Sequence, residues 1–278
     1  MLINLLIEPF TYSFMQRGLA AGILVGVACA VLGTFVVLRG MAFVGDAIAH
    51  TVLPGIVIAF LNGGNLFIGA LVAGALTALG IGWFTKDGEI AEDTAIGVMF
   101  SGLFALGILL LSAVKSYRDL THILFGNILG VTESDLAITL AVTVGVLIAV
   151  WLFFKELLVA SFDSGHASVI GLSPSLVRYG LLILLALTVV SGIQTVGVVM
   201  VAALLVTPAA TASLLTKKLP NMMLIGSLLS VSAAVAGLYA SYYGGVASGA
   251  AIVLTLTGFF LIAFVFAPGR GLLWRRRG

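Results

Sequence analysis

Residues 18–38 read GLAAGILVGVACAVLGTFVVL, a run without a single charged side chain. A helix that crosses a bilayer needs about 20 mostly apolar residues, so this run predicts one membrane-spanning helix. The rest of the chain has the same character: 61% of its 278 residues are apolar, 9% are charged, and the mean hydropathy is +1.25. Soluble domains carry about 25% charged residues. The composition therefore excludes a soluble enzyme, a nucleic-acid-binding domain and a disordered tail, and predicts an all-α, polytopic transmembrane helical bundle.

Charged and turn-forming residues divide the chain into nine apolar segments, with eight spans as the alternative count, in one transmembrane domain over residues 1–278. Residues 1–14 lack a positive start and carry Glu8, so we expect an interfacial helix and not a cleaved signal peptide. Residues 267–278 form a basic tail. Pro54 and Pro208 make the second and seventh segments the least regular. The expected spans are Gly18–Leu38, Met41–Leu61, Leu66–Phe84, Thr94–Val114, Leu136–Phe154, Val177–Ile193, Val196–Leu215, Asn221–Tyr242 and Val246–Phe266.

Lys and Arg are distributed unevenly between the two sets of loops. Cytoplasmic loops retain positive charge, so the side with ten Lys and Arg residues is assigned to the cytoplasm and the side with Arg17, Lys115 and Arg118 to the outside. With nine spans, this predicts a cytoplasmic C-terminus and an N-terminus outside. The ten are Arg39, Lys86, Lys155, Arg178, Lys217, Lys218, Arg270, Arg275, Arg276 and Arg277.

Small residues recur every fourth position in two spans. Such patterns let the backbones of neighbouring membrane helices approach closely, so they predict two packing seams and no substrate. Cys29, the single cysteine, excludes an internal disulfide and is expected to pack as a small hydrophobe. The first seam is Gly18, Gly22, Gly26 and Ala30, and the second is Ala70, Gly74, Ala78 and Gly82.

Asp46 and His50 are ionisable residues inside the second span. Their spacing puts both side chains on one helical face, one turn apart. Ionisable groups at membrane depth are costly unless they pair or line a wet cavity, which makes them functional candidates. Three interpretations stay open on spacing alone: an Asp–His hydrogen bond that holds two helices together, a proton relay, and a cation site. One oxygen and one nitrogen donor suit Mn²⁺, Fe²⁺ or Zn²⁺, and two copies of the chain at a two-fold axis would supply four ligands.

A polar segment, 163–174, separates two of the spans and reads DSGHASVIGLSP. It has an acidic start, helix-like spacing and a Gly and Pro near its end, although an ordinary loop is the simpler alternative, with His166 as a solvated residue. No Lys follows a Gly anywhere in the chain, so the G-x-x-x-x-G-K-[ST] phosphate loop is absent. Any ATP-driven transport would need an ATPase on a separate subunit.

The segment from Lys115 to Asp135 is too polar to span, yet its middle is apolar and carries His122. We expect a short helix over 120–129 at the extracellular mouth, where it would gate the pathway, receive a metal-binding protein, or only pack on the bundle. Glu133 and Asp135 would attract divalent cations to this vestibule.

The run 33–55 resembles the membrane permeases of manganese/zinc/iron ABC importers, the ABC-3 type, and this resemblance extends over essentially the whole chain. The residues that carry it are FVVLRGM (35–41), GDAIAHTVLPG (45–55), DTAIG (93–97), HILFGNIL (122–129) and LVTPAATA (205–212).

This resemblance implies a homodimeric permease of a prokaryotic plasma membrane, similar to the larger cobalamin and siderophore permeases with one leading helix fewer. It implies two partner ATPase subunits that bind ATP, and an extracellular or periplasmic metal-binding protein. Asp46 and His50 match the family's metal ligands, and Asp163, Ala167 and Gly171 resemble its coupling helix, expected over 163–175. No catalytic residue, covalently bound cofactor or nucleic-acid partner is implied.

The cargo and the class of transporter have alternatives. The VLPG sequence after His50 and the HILFGN run are more similar to manganese-type than to zinc-type members, which favours Mn²⁺ and leaves Zn²⁺ and Fe²⁺ open. An ion-coupled secondary transporter would use Asp46 and His50 as its coupling pair, with paired helix breaks at Pro54 and Pro208. An intramembrane metalloprotease would need a His-Glu pair, and no histidine here has a Glu neighbour.

Overall fold

The computed structural model describes residues 8–86, 88–112, 128–268 and 271–275, and this part of the chain is all-helical. Two 3-10 turns, Glu8–Thr11 and Ile128–Gly130, accompany the α-helices. The α-helices are α1 Ser13–Leu38, α2 Val44–Thr51, α3 Leu53–Leu61, α4 Leu66–Phe84, α5 Glu92–Ser112, α6 Glu133–Leu152, α7 Phe154–Phe162, α8 Ser164–Val169, α9 Pro174–Val196, α10 Val198–Leu215, α11 Leu219–Gly244, α12 Ser248–Phe266 and α13 Leu272–Arg275.

Within these residues, nine helical segments are long and apolar enough to cross a membrane, which confirms the predicted count. The second is the pair α2–α3, which counts as one span, Val44–Leu61. Its two halves meet at Val52, and Pro54 stands in the first turn of α3. Pro208, by contrast, lies inside α10 without ending it. The paired helix breaks expected of a secondary transporter are therefore not found in the described chain.

The N-terminal residues differ in detail from the interfacial helix predicted over 1–14. Of that segment, residues 8–14 are described: Glu8–Thr11 form a 3-10 turn, and α1 has already begun at Ser13. The first span thus begins five residues earlier than the predicted Gly18. The apolar run 18–38 marks only the part of this helix that follows its last charged residue, Arg17.

The centre of the bundle is α1, which contacts α6, α9, α10 and α11. Of its most apolar 18-residue window, 72% is buried, and Cys29 is buried there as a free thiol, as predicted. The peripheral helices α5 and α6 are buried over only 17% and 22% of theirs. The core therefore lies to one side, around α1.

Both predicted small-residue seams are packing surfaces. In the first, a Cβ at Gly26 would lie 3.0 Å from the Cβ of Ser230 on α11, so the absence of side chains lets α1 and α11 approach closely. In the second, Gly74 faces Val190, and Gly82 lies against the ring of Tyr179, both on α9. The two seams fix α1 against α11 and α4 against α9.

Candidate metal site and coupling surface

Helix α2 brings Asp46 and His50 together on one face, as their spacing predicts. The Nε2 atom of His50 lies 3.6 Å from Oδ1 of Asp46, and the side chains remain 33% and 48% exposed, respectively. This separation is longer than a good hydrogen bond. Both residues belong to the same helix, so their pairing cannot hold two helices together. The geometry leaves an oxygen and a nitrogen donor close together and uncommitted.

Two aromatic rings of α5 orient the imidazole of His50. The ring centroids of Phe100 and Phe104 lie 5.7 and 5.1 Å from that of His50, both in edge-to-face arrangements. The two phenyl rings are stacked on one another, 5.7 Å apart. This support was not predictable from the sequence, because Phe100 and Phe104 belong to the fourth span and reach His50 of the second span only through helix packing.

The opposite face of α2 is held firmly. Ile48 is fully buried, and the hydroxyl oxygens of Thr51 and Thr77 lie 2.9 Å apart, which ties α2 to α4. A Cβ at Gly45 would meet the tip of the Leu205 side chain on α10, so α2 and α10 are closely packed there. Asp46 and His50 are thus presented by a helix with one face fixed and the other open.

One copy of the described chain does not supply a complete metal site. No cluster of three or more His, Cys, Asp and Glu residues that could hold a metal ion occurs among the residues that the structure describes. Divalent transition metals in proteins take four or more ligands. The two donors of α2 therefore need further ligands from outside this set.

A second charged cluster lies where α1, α4, α5 and α9 meet; we call Arg39, Glu92 and Arg178 the ion-pair junction. Oε1 of Glu92 lies 3.1 Å from Nη2 of Arg39 and 3.9 Å from Nη1 of Arg178. The same Nη1 of Arg178 donates to the carbonyl of Thr85, at the end of α4, at 2.8 Å. Sequence analysis used the two arginines only as loop charges and missed their shared carboxylate, because the three residues are far apart in the chain.

The segment predicted as a coupling helix over 163–175 is helical over only six residues, α8, and its three motif residues have distinct local roles. Oδ1 of Asp163 accepts a hydrogen bond from the backbone N–H of His166 at 2.8 Å and so caps α8. Ala167 is fully buried beneath it. Gly171 has a φ of +84°, which favours glycine, and the residues from Pro174 already belong to α9.

The surface of this segment is partly apolar. Val169 and Ile170, at the tip, and Leu176, in the first turns of α9, are all exposed, while His166 is an exposed residue of α8. Three exposed aliphatic side chains therefore lie at the end of α8 and at the start of α9.

The predicted vestibule residues differ in whether the structure describes them and in what their side chains contact. His122 lies outside the described residues, as does most of the predicted helix over 120–129, whose last residues belong to the 3-10 turn Ile128–Gly130. Glu133 and Asp135 stand in the first turn of α6. Asp135 and Thr132 form a capping box, so the carboxylate of Asp135 is already occupied, whereas Glu133 is exposed.

Comparison with known proteins gives consistent results. The ABC 3 transport family matches residues 11–267. The manganese transport system membrane protein MntC of Listeria monocytogenes is 49% identical over 96% of this chain and 95% of its own length. A probable iron transport system membrane protein of Haemophilus influenzae is 42% identical over 95% of this chain and 98% of its own.

Two solved structures share the fold. PsaBC from Streptococcus pneumoniae, in complex with Fab, matches with a TM-score of 0.86 and 42% identity, covering 99% of this chain and 100% of that one. A metal-chelate type ABC transporter in an inward-facing conformation matches with a TM-score of 0.70 over 89% of this chain and 84% of that one. Since it is only 14% identical, this second likeness concerns the fold alone.

Proposed function

Because this chain belongs to the ABC 3 transport family and is a multi-pass metal permease of that family, we propose that it imports Mn²⁺ through a site formed by Asp46 and His50. The observation that carries the proposal is the open donor pair on α2, with 3.6 Å between Nε2 and Oδ1. An ionisable pair inside a span, left without a mutual hydrogen bond, suits a passing ion better than a structural contact.

The proposed step at this site is ligand exchange. The carboxylate of Asp46 binds the dehydrating cation through oxygen, and the neutral imidazole of His50 binds it through nitrogen. The edges of Phe100 and Phe104 keep the imidazole in place while the metal arrives and leaves. Transport also requires that the site hold the ion weakly enough to release it.

We propose that the remaining protein ligands come from a second copy of this chain. The Asp46 side chain is about half exposed, and Phe43, at the start of the same helix, is also exposed. α5, beside them, is the least buried of the nine spans. A two-fold axis beside this face would bring two Asp46 and two His50 side chains together and would cover the exposed apolar surface.

The energy would come from two ATPase subunits, with a separate metal-binding protein delivering the ion. The chain has no phosphate-loop motif of its own. The capped helix α8 and the exposed Val169 and Ile170 form the proposed docking surface for the ATPase, which requires this end to be cytoplasmic. The loop charges support the same orientation, with the C-terminus inside and the N-terminus outside.

The proposed selectivity for Mn²⁺ is judged from the names of relatives and from the metal preference of the two donors. Among relatives, the Listeria protein is named for manganese and the Haemophilus protein for iron. An oxygen–nitrogen donor pair binds Zn²⁺ more tightly than Mn²⁺ by intrinsic preference. Selection of Mn²⁺ would therefore depend on the geometry of the dimeric site and on the delivering protein.

Metal uptake by the complete transporter in proteoliposomes tests this function. Asp46→Asn and His50→Ala are each expected to lower Mn²⁺ uptake by about 100-fold or more, because a lost ligand costs more than the roughly 10- to 100-fold of a supporting residue. Asp93→Asn, which alters an exposed residue outside both the metal site and the proposed docking surface, serves as the matched control and should transport normally. Normal uptake by Asp46→Asn in a correctly assembled complex would refute the site.

A further inference from the structure

We infer that Glu92, held between Arg39 and Arg178, is a positioning residue that transmits movement of the α8 segment to the helices that carry and orient the metal donors. The inference rests on the proposed function and adds a mechanical connection between the proposed ATPase docking surface and the metal donors. It concerns the ion-pair junction, whose three residues belong to α5, the α1–α2 connection and α9.

Arg178 connects the junction to α8. Only four residues, 170–173, separate α8 from α9, and the backbone N–H of Leu172 donates to the carbonyl of Ala167 at 3.0 Å. The hydroxyl of Ser173 caps α9 by accepting from the N–H of Leu176. A displacement of α8 therefore reaches the first turns of α9, where Arg178 lies.

Arg39 connects the junction to the metal donors. It ends α1, and the stiff turn after it is closed by a hydrogen bond of 3.0 Å from the N–H of Met41 to the carbonyl of Val36. Met41 is almost completely buried, and the N–H of Val44 donates to its carbonyl, so α2 begins directly from this anchored residue. Asp46 lies in the first turn of α2.

Glu92 is itself the first residue of α5, the helix that carries Phe100 and Phe104. At 1.5 Å per residue, the two rings stand about 12 and 18 Å along the helix from Glu92. Because one helix carries Glu92 and both rings, a shift of this helix at Glu92 changes the aromatic contact with His50.

The junction is largely shielded from solvent, and a single oxygen atom of Glu92 lies near both arginine side chains. Oε1 of Glu92 lies within 4.0 Å of both guanidinium groups, and the side chains of Arg39 and Glu92 are only 13% and 23% exposed. A cavity of about 720 Å³, lined by Gly165 and Ser168 of α8, adjoins the same three residues. The cavity lies between α8 and the junction, so the connection between them runs through residues 170–173 and the first turns of α9.

The test is the number of Mn²⁺ ions taken up per ATP hydrolysed by the complete transporter in proteoliposomes. Glu92→Gln keeps the shape and removes the charge, so it should lower this ratio by about tenfold, within the range typical of coupling between sites. The affinity of the purified complex for Mn²⁺ without ATP should stay unchanged, and Glu92→Asp should restore part of the ratio. Asp93→Asn, the next residue and exposed, is the matched control and should behave as wild type.

Should Glu92→Gln fail to assemble, Arg39→Gln removes one ion pair, and Arg178→Gln removes the other together with the hydrogen bond to the Thr85 carbonyl. Each should show the same loss of ratio. A wild-type ratio in Glu92→Gln, or in both arginine variants, overturns the inference. So does a loss of uptake fully explained by weaker Mn²⁺ binding, because that is a structural effect. Failure of the proposed function is distinguishable, since the wild-type complex itself would then take up no Mn²⁺.

Discussion

Helices α1 and α5 are almost equally apolar, with mean hydropathies of 2.5 and 2.3 over their best windows, yet one is 72% buried there and the other 17%. The difference in burial follows from what the glycines of the two helices contact. Along α1, Gly26 and Gly33 lie directly against α11 and α10, whereas a Cβ at Gly97 or Gly102 of α5 would touch nothing within 4 Å. Hydropathy identifies a membrane helix, but the contacts of its small residues decide which face is packed within one copy of the chain.

The same contrast separates the two charged clusters. Glu92 is shielded and within reach of two arginines, whereas Asp46 and His50 are open and too far apart for a good hydrogen bond. One cluster holds its charges in fixed pairs, and the other presents open donors. This difference is the basis for assigning binding to the pair on α2 and force transmission to the junction.

The largest effect is expected from Gly33→Ala, because the added Cβ would collide with the backbone carbonyl of Leu205, which cannot move aside as a side chain can. We expect a loss of about 3 kcal/mol or more, or failure to assemble. Thermal unfolding in lipid nanodiscs measures it. Gly97→Ala is the matched control, since it has open space, and equal stability losses in both variants would remove the distinction between packed and open sides.

An intermediate effect is expected from Gly102→Phe on α5. If this face meets a second copy, the bulky ring should dissociate the homodimer and abolish uptake without unfolding the monomer. Gly145→Phe on α6, also exposed and without a neighbour within 4 Å, should leave the dimer intact. Subunit counting in nanodiscs by native mass spectrometry reports the outcome; an intact dimer with Gly102→Phe would place the interface elsewhere.

The smallest effect is expected in the first turn of α6, where Glu133 is exposed and the carboxylate of Asp135 already belongs to a capping box. Glu133→Gln should lower the Mn²⁺ uptake rate at limiting metal by about twofold in low salt, and less at 0.15 M salt, where charges are screened beyond about 8 Å. Asp135→Ala should instead cost about 1 kcal/mol of stability, because it removes one half of the capping box. Unchanged uptake in low salt for Glu133→Gln would leave this residue without an electrostatic role.

Much of the fold followed from sequence because it depends on local chemistry. The nine spans follow from the lengths of the apolar segments. Both seams, and the shared face of Asp46 and His50, follow from spacings of three or four residues, which helical geometry fixes. The short helix α8 was harder to delimit, since its end depends on the positive φ of Gly171.

What sequence could not supply are the contacts between distant segments. The continuity of α10 through Pro208 depends on the packing of its neighbours, not on its own residues. The meeting of Arg39, Glu92 and Arg178, and the position of Phe104 beside His50, follow from how four helices pack. Spacing within one helix carries no information on such pairs.

Electron spin-echo spectroscopy of Mn²⁺ bound to the purified transporter tests the central claim most directly, because it detects an imidazole nitrogen bound to the metal. The wild-type complex and the His166→Ala control should both show nitrogen modulation, and His50→Ala should lose it. Mn²⁺ bound within the membrane domain without nitrogen modulation, or with modulation that persists in His50→Ala, would contradict the assignment of His50 as a metal ligand.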